Sequence, residues 1–288
     1  MLKLSAAGWP GQDLLVGPDW TPEHVTGAPT LFRQGLRATA LSRDRFQPTG
    51  FTRVLYDGAE FVGYATATDM AQELTLLLER PRPPPVVYAY WDELDTLHHL
   101  KGPTPRLAAL ELDRLAGLIA HVAGRLSGTL RDRTTLVVTG DHGQVPSTRA
   151  GRIALERIPG LMGHLSRPLS GDRRAGFLGI RPGHEPEVRR ILSRHLPRGS
   201  RLIPMPEALR AGLFGPPPFH PEIEQRLGDL LALVPSPYGL TYLPPGAARP
   251  RRHLFGAHGG MEPEEMTVPL VSLSFRQLAE PPIRARKR

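Results

Sequence analysis

At 288 residues, with 40% hydrophobic and 22% charged side chains, the chain is long enough for one large α/β core and has a globular composition. It contains no cysteine, which excludes disulfides, thiolate metal sites and cysteine nucleophiles, so any metal must be held by Asp, Glu and His. The formal charge of +8 comes from Arg spread along a Pro- and Gly-rich chain, dense only at Arg284–Arg288. No finger, helix-turn-helix or aromatic-interleaved basic run accompanies it, so a small anionic substrate is expected rather than a nucleic-acid duplex. No apolar run approaches the length of a bilayer span and Met1–Pro10 lacks a signal-peptide layout, so no membrane partner is expected and a cytoplasmic location fits.

Pro10, Gly11, Pro18, Pro22 and Pro29 interrupt every short apolar run near the start. Thr30–Gln34 reads as one helical turn, and Leu36–Leu41 and Phe51–Tyr56 as short strands. The second of these is closed by Asp57-Gly58, read as a hairpin turn. Thr68–Glu79 is a predicted helix capped by Thr68 or Asp69, with Met70, Leu74, Leu77 and Leu78 on one face. Pro81 and Pro83–Pro85 end it.

Two continuous apolar runs follow, Val86–Trp91 and Thr134–Thr139, and both read as strands buried on two faces of a parallel sheet. Between them Thr104-Pro105 opens a helix whose stripe runs Ala108, Leu112, Leu115, Ile119, Val122 and Leu126, with Gly128 closing it. Strand, crossover helix and strand make a right-handed unit by default. Residues just beyond each strand then emerge at the end of the sheet where open α/β proteins bind ligands. Beyond the first strand lie Asp92, Asp95, His98 and His99; beyond the second, Gly140-Asp141-His142-Gly143.

From residue 145 to 253 the texture changes to dense Pro, Gly and Arg. This stretch is expected to be an inserted cap or subdomain, with helices at Glu185–His195 and Pro206–Arg210 and strands at Gly176–Ile180 and Gly228–Val234. The core pattern then resumes with Gly256-Ala257-His258-Gly259-Gly260, an acidic turn at Glu262–Glu265 and a strand at Val268–Leu273. Residues 1–288 are therefore read as a single α/β domain carrying the insertion.

Asp95 and His99 are four apart, so one helical turn would put both on one face with a single metal between them. Asp141 and His142 offer one hard oxygen and one imidazole nitrogen, half a shell for a divalent transition metal. Taken singly, each has an ordinary reading as a solvated helix start or a hydrogen-bonded histidine, and Asp92 and His98 are the obvious decoys. Taken together, Asp-x-x-x-His-x-x-Gly-Pro, strand-Gly-Asp-His-Gly and Gly-x-His-Gly form an ordered set.

In that order the chain resembles the alkaline phosphatase superfamily, most closely its type I phosphodiesterase and nucleotide pyrophosphatase branch, over residues from about 80 to 275. Secondary matches are Tyr90-Trp91, Gly212-Leu-Phe-Gly215, Arg226-Leu-Gly-Asp229 and Glu264-Glu-Met266. The resemblance implies a mostly parallel sheet flanked by helices. It also implies two divalent ions, zinc or in place of it manganese, with Asp95, His99 and His258 on one and Asp141 with His142 on the other. Such a pair, ~3.5–4 Å apart, clamps the attacking and leaving oxygens of an in-line phosphoryl transfer. The implied function is hydrolysis of phosphodiester or nucleotide pyrophosphate bonds by a Thr or Ser nucleophile.

One departure stands at the front. The family's first-strand Asp ligand and its Thr or Ser nucleophile have no counterpart, so no catalytic nucleophile is assigned. Asp57-Gly58 imitates the first-strand pair, but only 37 positions lie between Asp57 and Asp95, too few for the intervening elements. The expectation is a chain without its first βα portion, Met1 being internal to a longer protein, with an incomplete sheet and lowered stability. The alternative function is a non-catalytic metal- or phosphate-binding remnant.

Overall fold

The computed structural model describes residues 29–246 and 253–279. These group into two compact units: one takes the described residues up to Leu94 with Ala109–Val137 and those from Val271 on, the other Asp95–Ala108 and Val138–Leu270. No helix among the described residues is long and apolar enough to cross a membrane.

The first unit opens with a 3-10 turn at Leu31–Arg33, matching the predicted single turn. Strand β1 (Ala38–Arg43), helix α1 (Gly50–Leu55), strand β2 (Glu60–Tyr64), helix α2 (Ala67–Leu78) and strand β3 (Val86–Ala89) follow. The β1 strand lies between β2 and β3, parallel to both. Residues 51–56, expected to be a strand, are helical. The Thr49 hydroxyl accepts the Thr52 amide at 3.2 Å, and that cap overrides the β-branched preference of the segment. Asp57-Gly58 therefore links α1 to β2 and is no hairpin turn. The α2 cap is Thr66, earlier than predicted: its hydroxyl accepts the Asp69 amide at 3.2 Å, and Asp69 accepts the Ala65 amide at 2.7 Å.

Helices α3 (Glu93–Lys101), α4 (Pro105–Arg125) and α5 (Gly128–Arg133) lead to strand β4 (Thr135–Thr139). Gly128 opens α5 behind a Ser127 cap, where the sequence suggested only a stop. Met70, Ala71, Leu74 and Leu77 of α2 bury against Leu41, Tyr64, Val122, Ala123, Leu126 and Phe275, so the predicted face of α2 is its core face. The predicted α4 stripe holds only toward its end: Val122 and Leu126 are buried, whereas Leu112 is exposed.

Neither predicted both-face-buried strand is buried on two faces. Leu136 packs on the core while Val137 is 59% exposed; Val87 packs while Val86 and Tyr88 face out. The parallel pairing expected is seen in β2-β1-β3. The β4 strand hydrogen-bonds to β13, a strand at Leu270–Ser274, not to β3, so the parallel sheet stops at three strands and the described residues cover one side of each run.

Arg43 at the end of β1 reaches the residues just beyond β3. Its Nε donates to Asp92 Oδ1 at 2.8 Å, its far nitrogen contacts Glu93, and Arg45 takes the other Asp92 oxygen. Asp92 is 4% exposed and is wholly engaged as a counter-ion, which accounts for this decoy.

The second unit holds strands β5 (Val145–Pro146), β6 (Arg152–Ala154), β7 (Leu165–Gly171) and β8 (Ala175–Ile180), then helix α6 (Glu185–His195), strand β9 (Arg201–Pro204) and helices α7 (Met205–Arg210) and α8 (Ile223–Leu227). It closes with strands β10 (Leu230–Leu233), β11 (Gly239–Thr241) and β12 (Gly256–Ala257), helix α9 (Pro263–Met266) and the first residue of β13; α10 (Phe275–Ala279) returns to the first unit. The sheet β7-β8-β10-β9 is antiparallel. Its β10 run Leu-Leu-Ala-Leu is buried on both faces: Leu230 and Ala232 pack toward α6, Leu231 and Leu233 toward α7. The β11 and β6 strands pair in parallel, and β12 pairs antiparallel with β5.

A buried ion pair joins these pieces. Arg174, before β8, donates from Nε and a terminal nitrogen to both oxygens of Glu265 in α9 at 3.0 and 2.8 Å. Its remaining nitrogen donates to the carbonyls of Val234 and Tyr238. Glu265 also accepts the amides of Gly260 and Glu262, and its own carbonyl accepts the Gly143 amide at 2.8 Å. Burial alone would raise the Glu265 carboxyl, but the bonds from Arg174 and Gly260 overcome it and hold it below its ordinary value of 4.5.

Two outcomes follow. Replacing Asp92 by Ala removes the carboxylate that Arg43 and Arg45 share, leaving Arg43 only the Glu93 carboxylate, and should cost about 1–3 kcal/mol in urea unfolding, the scale of a lost charge-assisted hydrogen bond. Because the folded pKa of Glu265 lies below its unfolded one, its contribution is present above pH 4.5 and is lost as pH falls below that value. Glu265→Gln should therefore unfold more easily near neutral pH, by about 3 kcal/mol or more, and its stability should fall less than wild type's on acidification below 4.5.

Candidate metal centre

All five residues expected to hold metal lie in the second unit. Asp95 and His99 sit one turn apart on α3, and His258 follows β12. Each offers one ligand atom, and these atoms lie within 4.8 Å of one another; among the described residues this is the one such group of three. Backbone pairing brings it about. The Phe255 amide donates to the His99 carbonyl at 2.7 Å and the Ser147 amide to the Phe255 carbonyl at 2.8 Å, so α3, β12 and β5 are stitched side by side. Position 256 has to be Gly, because a Cβ there would stand 2.6 Å from the His98 carbonyl oxygen.

The His99 ring is oriented by its own neighbour. Its Nδ1 lies 2.9 Å from the Gly256 carbonyl oxygen, which can only accept, so Nδ1 carries a proton and in the neutral ring Nε2 is the nitrogen with the lone pair. That Nε2 is 3.3 Å from Asp95 Oδ1. His258 is held neutral: burial lowers its pKa most, the nearby His142 and His99 lower it further, and Asp172 and Asp95 oppose only in part. A neutral imidazole is the form that binds metal.

Asp141 and His142 stand against this group. The His142 ring stacks on the His258 ring at 3.7 Å between centroids and 13° between planes. Its Nδ1 is 2.9 Å from the Gly143 carbonyl, so the same argument makes Nε2, 3.7 Å from Asp141 Oδ2, the lone-pair nitrogen of the neutral ring. The Asp141 carboxylate is largely exposed and accepts the His142 amide at 3.1 Å. Gly143 permits the close approach of α9, since a Cβ would stand 1.9 Å from the Glu264 carbonyl oxygen. Among the described residues these two form no group of three ligand atoms all within 4.8 Å of one another, whereas Asp95, His99 and His258 do.

One oxygen and two nitrogens suit a zinc-class ion, and the carbonyls that orient the His99 and His142 rings suit it further. Spacing did not reveal Gln144, whose amide nitrogen donates to Asp95 Oδ1 at 2.7 Å, or the Arg174–Glu265 pair behind His258. Gln144 follows directly on the Asp-His-Gly motif, which is a usable signal. Arg174 is one Arg among many and carries none.

Comparison with known proteins gives a consistent result. The sequence profile of the family described as type I phosphodiesterase / nucleotide pyrophosphatase matches residues 2–260. No curated protein matches the chain in sequence. Among solved structures, murine ectonucleotide pyrophosphatase/phosphodiesterase 5 superposes with a TM-score of 0.57 at 17% identity, over 83% of this chain and 60% of its own. The human counterpart gives 0.59 at 15% identity with the same coverage. Phosphonoacetate hydrolase from Sinorhizobium meliloti 1021, in complex with phosphonoacetate, gives 0.56 at 17%, over 85% of this chain and 68% of its own. The present chain thus spans 60% of the length of the two ectonucleotide proteins. At these identities the superpositions establish the fold, a mixed α/β arrangement of the alkaline phosphatase kind, and the profile match carries the membership: the chain belongs to the type I phosphodiesterase / nucleotide pyrophosphatase family.

Proposed function

We propose that this chain is a two-metal hydrolase of phosphodiester or nucleotide pyrophosphate bonds, with Asp95, His99 and His258 on one divalent ion and Asp141 with His142 on the other. The observation that carries the reading is the meeting of Asp95, His99 and His258, from segments more than 150 positions apart, within 4.8 Å. The stacked His142 supports a second ion beside the first, and zinc suits the donors best, with manganese the other candidate. A small anionic substrate fits the family: murine ectonucleotide pyrophosphatase/phosphodiesterase 5 in an inactive form is in complex with AMP, and the Sinorhizobium enzyme with phosphonoacetate.

Bound divalent ions would supply charge to offset the negative charge that spreads over the transferring phosphoryl group. The protein's part is to present the ligand atoms without rearrangement. Gly256 fixes the His99 ring, burial and the neighbouring imidazoles keep His258 unprotonated, and Gly143 fixes His142. The attacking hydroxyl is not assigned to any residue.

Two measurements bear on this. Zinc at about 100 times its Kd should raise the unfolding free energy by about 2.7 kcal/mol, and His258→Ala should abolish the increment. Hydrolysis of bis(p-nitrophenyl) phosphate should be stimulated by zinc or manganese and lost in the same variant. Stabilisation by zinc without turnover would favour the non-catalytic binding reading, and neither response would remove both.

A further inference from the structure

Gln144 joins the two halves of the candidate centre through one amide group. It leaves the Asp141-His142-Gly143 loop immediately before β5, and the β12–β5 register, in which Ala257 pairs with Val145, sets it across from His258. Its amide nitrogen donates to Asp95 Oδ1 at 2.7 Å. The Oε1 of the same amide is buried and has no partner, and so is Nε2 of His98 on α3. These two orphans are neighbours: His98 lies three positions after Asp95 on α3, next to the carboxylate that Gln144 holds, and the Gln144 side chain opposes the effect of burial on His98. A buried polar atom without a partner costs about 1–3 kcal/mol, so two adjacent ones of opposite capacity point to a bond between them.

The direction of that bond follows from elementary valence. An ionised carboxylate only accepts, so Asp95 must face the Gln144 nitrogen. The amide oxygen is then turned toward His98 and requires a donor, so His98 must carry its proton on Nε2. Without that donor the amide would lose its orienting partner, and rotation by half a turn would set its oxygen against the Asp95 oxygen, a repulsive contact.

We propose that His98 and Gln144 are positioning residues that orient the Asp95 carboxylate through the chain His98 Nε2–H to Gln144 Oε1 and Gln144 Nε2–H to Asp95 Oδ1. His98, a decoy as a ligand, thereby acts one step removed from the metal. The inference rests on the reading of Asp95, His99 and His258 as a metal site. It assigns Gln144 the task of holding Asp95 Oδ1, the oxygen 3.3 Å from His99 Nε2, in place while coupling that placement to the loop carrying His142. Partners of this kind typically change metal affinity by about 10–100-fold.

The test has two arms, both on the full chain. In the metal-free protein near neutral pH, ring-nitrogen NMR of His98 should give the neutral Nε2–H tautomer, and a neutral Nδ1–H tautomer would overturn the chain. Competition with a chromophoric zinc chelator should give a Kd raised about 10–100-fold in Gln144→Leu and in His98→Leu. His98→Gln, which restores an N–H near the Nε2 position, should recover most of the affinity. Equal zinc affinity in wild type and Gln144→Leu overturns the positioning role while leaving the metal site standing; loss in His98→Gln as severe as in His98→Leu also overturns it. No zinc binding by the wild-type chain removes the metal-site reading and this inference with it. Urea unfolding of each metal-free variant identifies a folding failure, in which case the tautomer in the wild-type protein decides.

Discussion

The geometry of the candidate centre depends on a carboxylate that touches none of the proposed ligands. Glu265 is buried against Arg174 and accepts the Gly260 amide two residues beyond His258, while its carbonyl accepts the Gly143 amide one residue beyond His142. One residue therefore holds both histidine-bearing loops. A buried pair of this kind gains little net energy over a well-packed apolar one, because both charges are taken out of water. What it supplies here is placement. Arg174 spends its remaining donors on the Val234 and Tyr238 carbonyls, so the antiparallel sheet, α9 and the two loops share one set of hydrogen bonds.

The centre is built from backbone approach as much as from side chains. Position 256 lies against the His98 carbonyl and position 143 against the Glu264 carbonyl, too close for a Cβ in either case. Each glycine permits a contact that in turn orients an imidazole: Gly256 holds His99 and Gly143 holds His142 through their carbonyls. Carbonyls only accept, so both rings are left in the tautomer that leaves Nε2 unprotonated. His258 has no such bond among those described; its burial and its stacking on His142 govern its state.

The two units handle burial differently. In the β7-β8-β10-β9 sheet each face has a helix, and the β10 run is covered on both sides. The β3 and β4 strands have equally apolar sequences, yet each presents one face outward, and Val137, Val86 and Tyr88 are exposed. A run of Val and Leu shows that a strand tolerates burial on two faces. Whether it gets it depends on what packs there, which composition does not encode. The same holds for residues 51–56, where a threonine cap turned a strand-like composition into a helix.

Much was legible locally. The α2 face, the α6 helix and the Thr104-Pro105 start of α4 follow from period and cap chemistry, because these depend on neighbours within a few positions, whereas the proposed ligand set comes from the order of motifs that the family resemblance supplies. The four-residue step from Asp95 to His99 is helical arithmetic. What the sequence by itself could not reach was any relation between distant segments: that β4 pairs with β13, that Asp92 belongs to Arg43, that Glu265 closes on Arg174, and that Gln144 leans on Asp95. Each of these is a choice among many chemically equivalent partners. Only the packing of the folded chain, which determines which of them lie within hydrogen-bond reach, makes that choice.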